Sequence, residues 1–153
     1  DTLSLHDALP IFPEQIQAHV ADMLAVATSA RQFAQHASRQ VGAAVLTQSE
    51  TGGTHLYKGA NWKLIPGETP HRYCAERVAA LAALSDGTFE DIVAVLVLSN
   101  MRPDRDYDGL VKMCDECVDF FQTGFKHPHI VWIITIDADT QQTRVMKFSD
   151  LIA

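Results

Sequence analysis

Residues 92–98 read Ile-Val-Ala-Val-Leu-Val-Leu, an unbroken apolar run rich in valine. A strand with one face in water alternates apolar and polar residues, so a continuous run of this length predicts a strand covered on both faces. Ile130–Ile136, IVWIITI, has the same character. Two such strands need helices on both sides of their sheet, which predicts an α/β layer structure. Working outward, Cys74–Leu84 is alanine-rich with helical periodicity and stops near Asp86-Gly87. Val41–Thr47 and His55–Asn61 read as strands joined by a turn at Glu50–Gly53, hence as a hairpin. Residues 62–72 carry two prolines and a glycine and read as a loop. Before the hairpin, Ile16, Val20, Met23, Leu24, Ala27 and Phe33 recur at helical spacing after Pro13, predicting one long helix over about 13–37. After the central strand come a polar loop over Ser99–Lys112, a helix from near Cys114 to Gly124, the second apolar strand, a last strand over Thr143–Phe148 and a short closing helix over Ser149–Ala153. The expected fold is a three-layer α/β/α sandwich with a five-stranded mixed sheet.

Composition narrows the function. The 153 residues carry a formal net charge of −7. An acidic surface repels phosphate backbones, and no block of Lys and Arg forms a basic groove, so a nucleic-acid partner is not expected. No apolar stretch reaches the ~20 residues of a membrane-spanning helix, so no membrane partner is expected. The three cysteines are too few and too odd for a disulfide framework and fit thiols kept for metal or chemistry in a reducing cytoplasm. Residues 2–11, TLSLHDALPI, resemble a translated sequencing adapter of the kind carried into assembled metagenomic sequence. A signal peptide would need a basic start and no His6-Asp7 within its apolar part. Residues 1–11 are therefore expected to be a non-native or disordered extension, and 12–153 a single domain.

The chemistry sits in Cys74-Ala75-Glu76 and Cys114-Asp115-Glu116-Cys117. Both segments open a predicted helix, and both helices are expected at the same end of the sheet. Helix N-termini present free N–H groups and a positive dipole, which favour thiolates. Three thiolates on one Zn²⁺ leave a fourth tetrahedral position for water, the catalytic arrangement. Glu76, two residues past Cys74, is placed to move protons without ligating the metal. A lone C-x-x-C also suits a redox pair, but the thioredoxin-like motif expects a strand directly before it. His71, His127 and His129 read as loop residues. Phe120, Phe121 and Phe125 read as core or subunit contacts.

These motifs resemble the cytidine deaminase family of zinc enzymes, which pairs a ligand-x-Glu motif with C-x-x-C and has a three-cysteine variant. Val41-Gly42-Ala43-Ala44-Val45-Leu46, Gly59-Ala60-Asn61 and Cys74-Ala75-Glu76-Arg77 follow the order and approximate spacing of its small, homotetrameric members, and the resemblance covers nearly everything after residue 12. It implies the same three-layer fold, one zinc per subunit on Cys74, Cys114 and Cys117, and Glu76 as the proton shuttle. It also implies backbone contact of Ala75 with the base, Arg77 hydrogen-bonded to the ligand thiolates, and Asn61 on the sugar. The implied reaction is hydrolytic deamination of cytidine, deoxycytidine or a modified cytosine nucleoside. Departures are equally specific. Met113 replaces the proline before the second cysteine, Val118-Asp119 replaces Arg-Gln after the last, and Asn61-Trp62-Lys63 replaces Asn-x-Glu. Arg39 stands where an aromatic usually packs near the pyrimidine. Arg39 and Lys63, with Trp62 as a stacking ring, are thus candidate substrate contacts that favour an anionic or acceptor-rich substrate. Deamination of a blasticidin-like antibiotic and hydrolysis of N4-substituted cytidines are alternative reactions. A polynucleotide cytosine deaminase or a zinc protein without turnover are alternatives of a different class.

Overall fold

The computed structural model describes residues 12–35, 39–63, 72–101 and 111–152. Among these, the helices are α1 (Glu14–Gln17), α2 (Val20–Arg31), α3 (Ala75–Ser85), α4 (Asp115–Gly124) and α5 (Phe148–Leu151). The strands are β1 (Gly42–Gln48), β2 (Thr54–Ala60), β3 (Trp62–Lys63), β4 (Arg72–Tyr73), β5 (Ile92–Ser99), β6 (Trp132–Asp137) and β7 (Thr143–Lys147). The main sheet has five strands in the order β2-β1-β5-β6-β7. Only β5 and β6 pair in parallel, and the other neighbours are antiparallel, so the sheet is mixed as expected.

Period-two alternation sorts the central strands between two cores. Val45, Val95, Val97 and Ile133 face α3 and α4 on one side. Ala44, Leu46, Leu96 and Ile134 face α1 and α2 on the other. This is why β5 and β6 read as continuous apolar runs. On the first side, Phe121 stacks on Phe125 at 4.8 Å and both meet Phe148 edge-on, tying α4 to α5 through the aromatic core expected of these residues.

Two glycines set how closely the helices approach. A Cβ on Gly42 would lie 2.0 Å from the Ala27 carbonyl oxygen, so α2 rests directly on β1. A Cβ on Gly59 would lie 2.3 Å from the Ala75 oxygen and 2.5 Å from the Ala79 nitrogen, so α3 lies equally close to β2. The alanine-rich face of α3 completes that contact, with Ala75, Ala79, Ala80 and Ala83 all buried.

Two expectations need correction. The long helix over 13–37 is two helices separated at Ala18-His19, where the His19 N–H bonds the Ile16 carbonyl in a tighter turn. It also ends at Arg31, because the chain must turn back to the sheet: the Gln35 N–H bonds the Asn61 carbonyl, and Gln35 bridges Trp62 in parallel. The segment read as a loop over 62–72 holds a two-stranded ribbon, with Trp62 opposite Tyr73 and Lys63 opposite Arg72. Stacking of Trp62 on Tyr73, with centroids 5.9 Å apart and planes 10° apart, holds this ribbon together. Residues 1–11, 36–38, 64–71, 102–110 and 153 lie outside the described residues, so neither the extension nor His71 is placed.

Candidate active site

The ends of α3 and α4 that carry the motifs converge. Cys74 is the N-cap of α3 and Cys114 the N-cap of α4, both with extended backbone. The Val78 N–H bonds the Cys74 carbonyl at 3.1 Å, and the Cys117 and Val118 N–H groups bond the Cys114 carbonyl at 3.0 Å each. These turns fix the direction in which each cysteine leaves its helix. Cys117, one turn into α4, is buried. The Sγ atoms of Cys74 and Cys114 are 3.2 Å apart, and the three sulfurs all lie within 4.8 Å of one another. A tetrahedral zinc with bonds of ~2.3 Å holds sulfurs roughly 3.8 Å apart, so the spacing suits one such ion. None of the three cysteines is in a disulfide.

The electrostatics of the thiols point the same way. Hydrogen bonding to Cys114 is the main cause that pushes the Cys74 thiol up to about 11, against a lowering bond from Cys117. Cys117 is raised too, first by its bond to Cys114, then by its bond to Cys74 and by burial. Crowded thiols share protons because adjacent thiolates repel. A divalent cation removes that conflict, so the donor set fits a metal.

Glu76 sits on the first turn of α3 and is only 4% exposed. Burial is the main cause raising its pKa above the ordinary carboxyl value, with the Cys114 charge acting in the same direction and Arg39 opposing. A buried carboxyl at the mouth of a thiol cluster is poised to hold and release a proton.

A pocket opens onto this cluster. Cys74, Ala75, Glu76 and Cys114 line it together with Arg39, Asn61, Arg72, Tyr73 and Lys112. Asn61 uses both ends of its amide within the protein. Its Nδ2 donates to the Arg39 carbonyl at 2.8 Å, and its Oδ1 accepts from the Val41 N–H at 2.9 Å. It therefore fixes the backbone that carries Arg39. The Arg39 Nε donates to the Ser99 hydroxyl at 2.6 Å, at the C-terminal end of β5. Arg77 approaches from outside the pocket. Its Nη2 is 3.5 Å from the Cys74 sulfur and 3.1 Å from a Glu116 carboxylate oxygen. Burial opposes its charge, but the bond to Cys74 and the neighbouring sulfurs raise its pKa well above the ordinary arginine value.

The fold thus brings together Cys74, Ala75, Glu76, Cys114, Cys117, Arg39 and Asn61, with Arg77 behind Cys74. Trp62 stacks on Tyr73 rather than lining the pocket, and Lys63 contributes a β3 position opposite Arg72. His127 and His129 are exposed, and neither belongs to the group with the three thiols. Sequence reasoning missed Arg72, Tyr73, Lys112 and Glu116. Arg72 and Tyr73 reach the pocket only because β4 leads straight into Cys74. Glu116 accepts from Arg72 at 2.8 Å and from Arg77, so the middle of the C-x-x-C motif is tied to the strand and helix flanking Cys74. The signal for it was its place between the two cysteines of the C-x-x-C motif.

Comparison with solved structures finds this fold in cytidine deaminases. The enzyme from Burkholderia pseudomallei aligns with a TM-score of 0.66 at 22% identity, covering 86% of this chain and 94% of its own. That from Mycobacterium leprae aligns at 0.57 and 16% identity, covering 87% and 96%. That from Mycobacterium tuberculosis aligns at 0.56 and 15% identity, covering 86% and 92%. No family model matches the sequence, and no curated protein matches it significantly. The chain has the cytidine deaminase fold, and at the converging N-termini of α3 and α4 it carries a three-thiol cluster able to hold a metal ion.

Proposed function

We propose that this protein is a zinc-dependent hydrolytic deaminase of a small cytosine nucleoside: cytidine, deoxycytidine or a modified form. The observation that carries this reading is the buried Glu76 carboxyl beside three thiols within 4.8 Å of one another, with Glu76, Cys74 and Cys114 lining an open pocket. A structural metal site has no need of a proton carrier, whereas a deaminase does. Cys74, Cys114 and Cys117 are the residues that would hold Zn²⁺, and when bound it supplies activation of water near neutral pH.

The chain's own residues do the rest. Glu76 takes a proton from the attacking water and delivers it to the ring nitrogen next to the amine-bearing carbon. It then passes a proton to the departing amino group. A carbon–oxygen bond forms, a carbon–nitrogen bond breaks, ammonia leaves, and the base becomes uracil with no change of oxidation state. Burial of Glu76 favours its protonated form, which suits delivery of that proton. Ala75 lines the pocket, which supports a backbone contact with the base. Asn61 acts as a positioning residue for the Arg39 segment. Arg77 holds the Cys74 sulfur with a charge that balances the excess negative charge of three thiolates.

The same reading carries a homotetramer and a cytoplasmic location, where unpaired thiols persist. Among the described residues no helix is long and apolar enough to cross a membrane. Turnover of cytidine in isotopically labelled water tests the reaction: one labelled oxygen in the uracil product for each ammonia released is expected. Ammonia without a uracil product would overturn it.

A further inference from the structure

Glu116 stands between the two cysteines of the C-x-x-C motif, on the first turn of α4. Its two carboxylate oxygens have different partners. Oε1 accepts from Arg72 Nη2 at 2.8 Å, and Oε2 accepts from Arg77 Nη2 at 3.1 Å. Arg72 lies two residues before Cys74 and Arg77 three after it. One carboxylate on the segment of Cys114 and Cys117 therefore grips both flanks of Cys74. The same Arg77 Nη2 lies 3.5 Å from the Cys74 sulfur. Among the described residues, Cys74 and Glu116 are the hydrogen-bond partners of Arg77, and its Nε is buried with none. A single contact with sulfur is a weak hold on a side chain with this much rotamer freedom. The Arg77 side chain is 20% exposed against 55% for Glu116, so the inner end of the pair is partly shielded from water and salt. The charge of Glu116 has the wrong sign to balance thiolates, and the cations it holds account for its place beside them.

We propose that Glu116 is a positioning residue of the metal site: anchored by Arg72, it holds the Arg77 guanidinium against the Cys74 sulfur. This rests on the zinc reading of the same three thiols. A cation that donates to a ligand thiolate stabilises the charged sulfur and orients it, and such outer partners are worth about 10- to 100-fold in metal affinity.

The test measures zinc affinity by chelator competition in wild type, Glu116→Ala, Arg77→Ala and the double variant. The near-ultraviolet thiolate-to-metal band of each protein loaded with Co²⁺ is recorded alongside. Arg77→Ala should lose about tenfold or more in zinc affinity. Glu116→Ala should lose about threefold to tenfold, less because its end of the pair is half exposed. Both should move the cobalt band to longer wavelength, because a thiolate without its donor is a stronger electron donor to the metal. In the Arg77→Ala background, Glu116→Ala should change neither readout. Wild-type affinity and spectrum in Glu116→Ala would overturn the inference and leave the zinc site and the deaminase standing. An equal loss from Glu116→Ala with and without Arg77 would show direct action of its charge and overturn the positioning role. A wild type that takes up neither metal would overturn the zinc reading and the inference with it. No arm depends on turnover, so absence of ammonia in the deaminase assay leaves this result unaffected.

Discussion

At the scale of single residues, the site combines groups whose charges conflict until a metal is bound. Cys74 is pushed up to about 11 by its bond to Cys114, and Cys117 is raised further still. In the metal-free protein these thiols therefore keep their protons at neutral pH, and a metal must displace them. The sign follows: protons compete with the metal, so zinc affinity falls as pH falls and zinc binding releases protons. Titrating zinc into weakly buffered protein should show proton release, and a chelator competition should show affinity dropping between pH 8 and about pH 6. Binding that is independent of pH would contradict the thiol assignment. Asn61 gives a second residue-scale prediction. Asn61→Ala strands the buried Val41 N–H and the Arg39 carbonyl, which should cost roughly 2 kcal/mol or more in denaturant unfolding. A change within a few tenths of wild type would show that the clamp is not held in solution. This role was illegible in the sequence, where Asn61 was assigned to a sugar hydroxyl by resemblance. An amide satisfied at both ends by backbone 20 and 22 residues away leaves no local signal.

At the scale of elements, the two glycine contacts separate stability from the site. Gly42 lets α2 approach β1, and Gly59 lets α3 approach β2. Alanine at either position meets backbone atoms that do not yield readily, and each substitution should destabilise by ~1–3 kcal/mol or more. Only α3 carries Cys74 and Glu76. Gly59→Ala should therefore weaken zinc binding as well as stability, whereas Gly42→Ala should lower stability with full zinc content in the folded protein. Thermal unfolding together with metal analysis checks this, and equal loss of zinc in both variants would contradict it. The elements themselves were largely legible. Unbroken apolar runs gave β5 and β6 because both faces of the sheet are covered, and the alanine repeat gave α3. The division of α1 from α2 was not legible, since Ala18-His19 carries neither proline nor glycine and the apolar spacing continues across it. The β3–β4 ribbon was hidden because its pairing is long-range and its register rests on one Trp62–Tyr73 stack.

At the scale of the molecule, the fold does one thing that the motifs could only imply. It crosses from β2 to β5 through α3, and from β5 to β6 through α4, so that both helices start at one end of the sheet. Open α/β sheets place ligands outside strand ends at such crossovers. Cys74, Cys114 and Cys117 were therefore readable as a set from their places at two predicted helix starts and from the family resemblance, and the Sγ separation of 3.2 Å between Cys74 and Cys114 is the structural counterpart. The cations around the pocket were only half readable. Arg39 stood out as a departure from a family pattern, while Arg72 and Lys112 are ordinary surface residues until the fold turns them toward one opening. The central claim is that Glu76 carries protons for a deamination at this cluster. The most direct test is ammonia release from cytidine and cytidine 5′-monophosphate by zinc-loaded wild type and Glu76→Gln, with zinc content and unfolding midpoint measured on both. The account predicts release by wild type and a loss of at least about 10²-fold in the variant. It also predicts that zinc and fold are retained. Equal release by both proteins, or none by a wild type that holds its zinc, would contradict it.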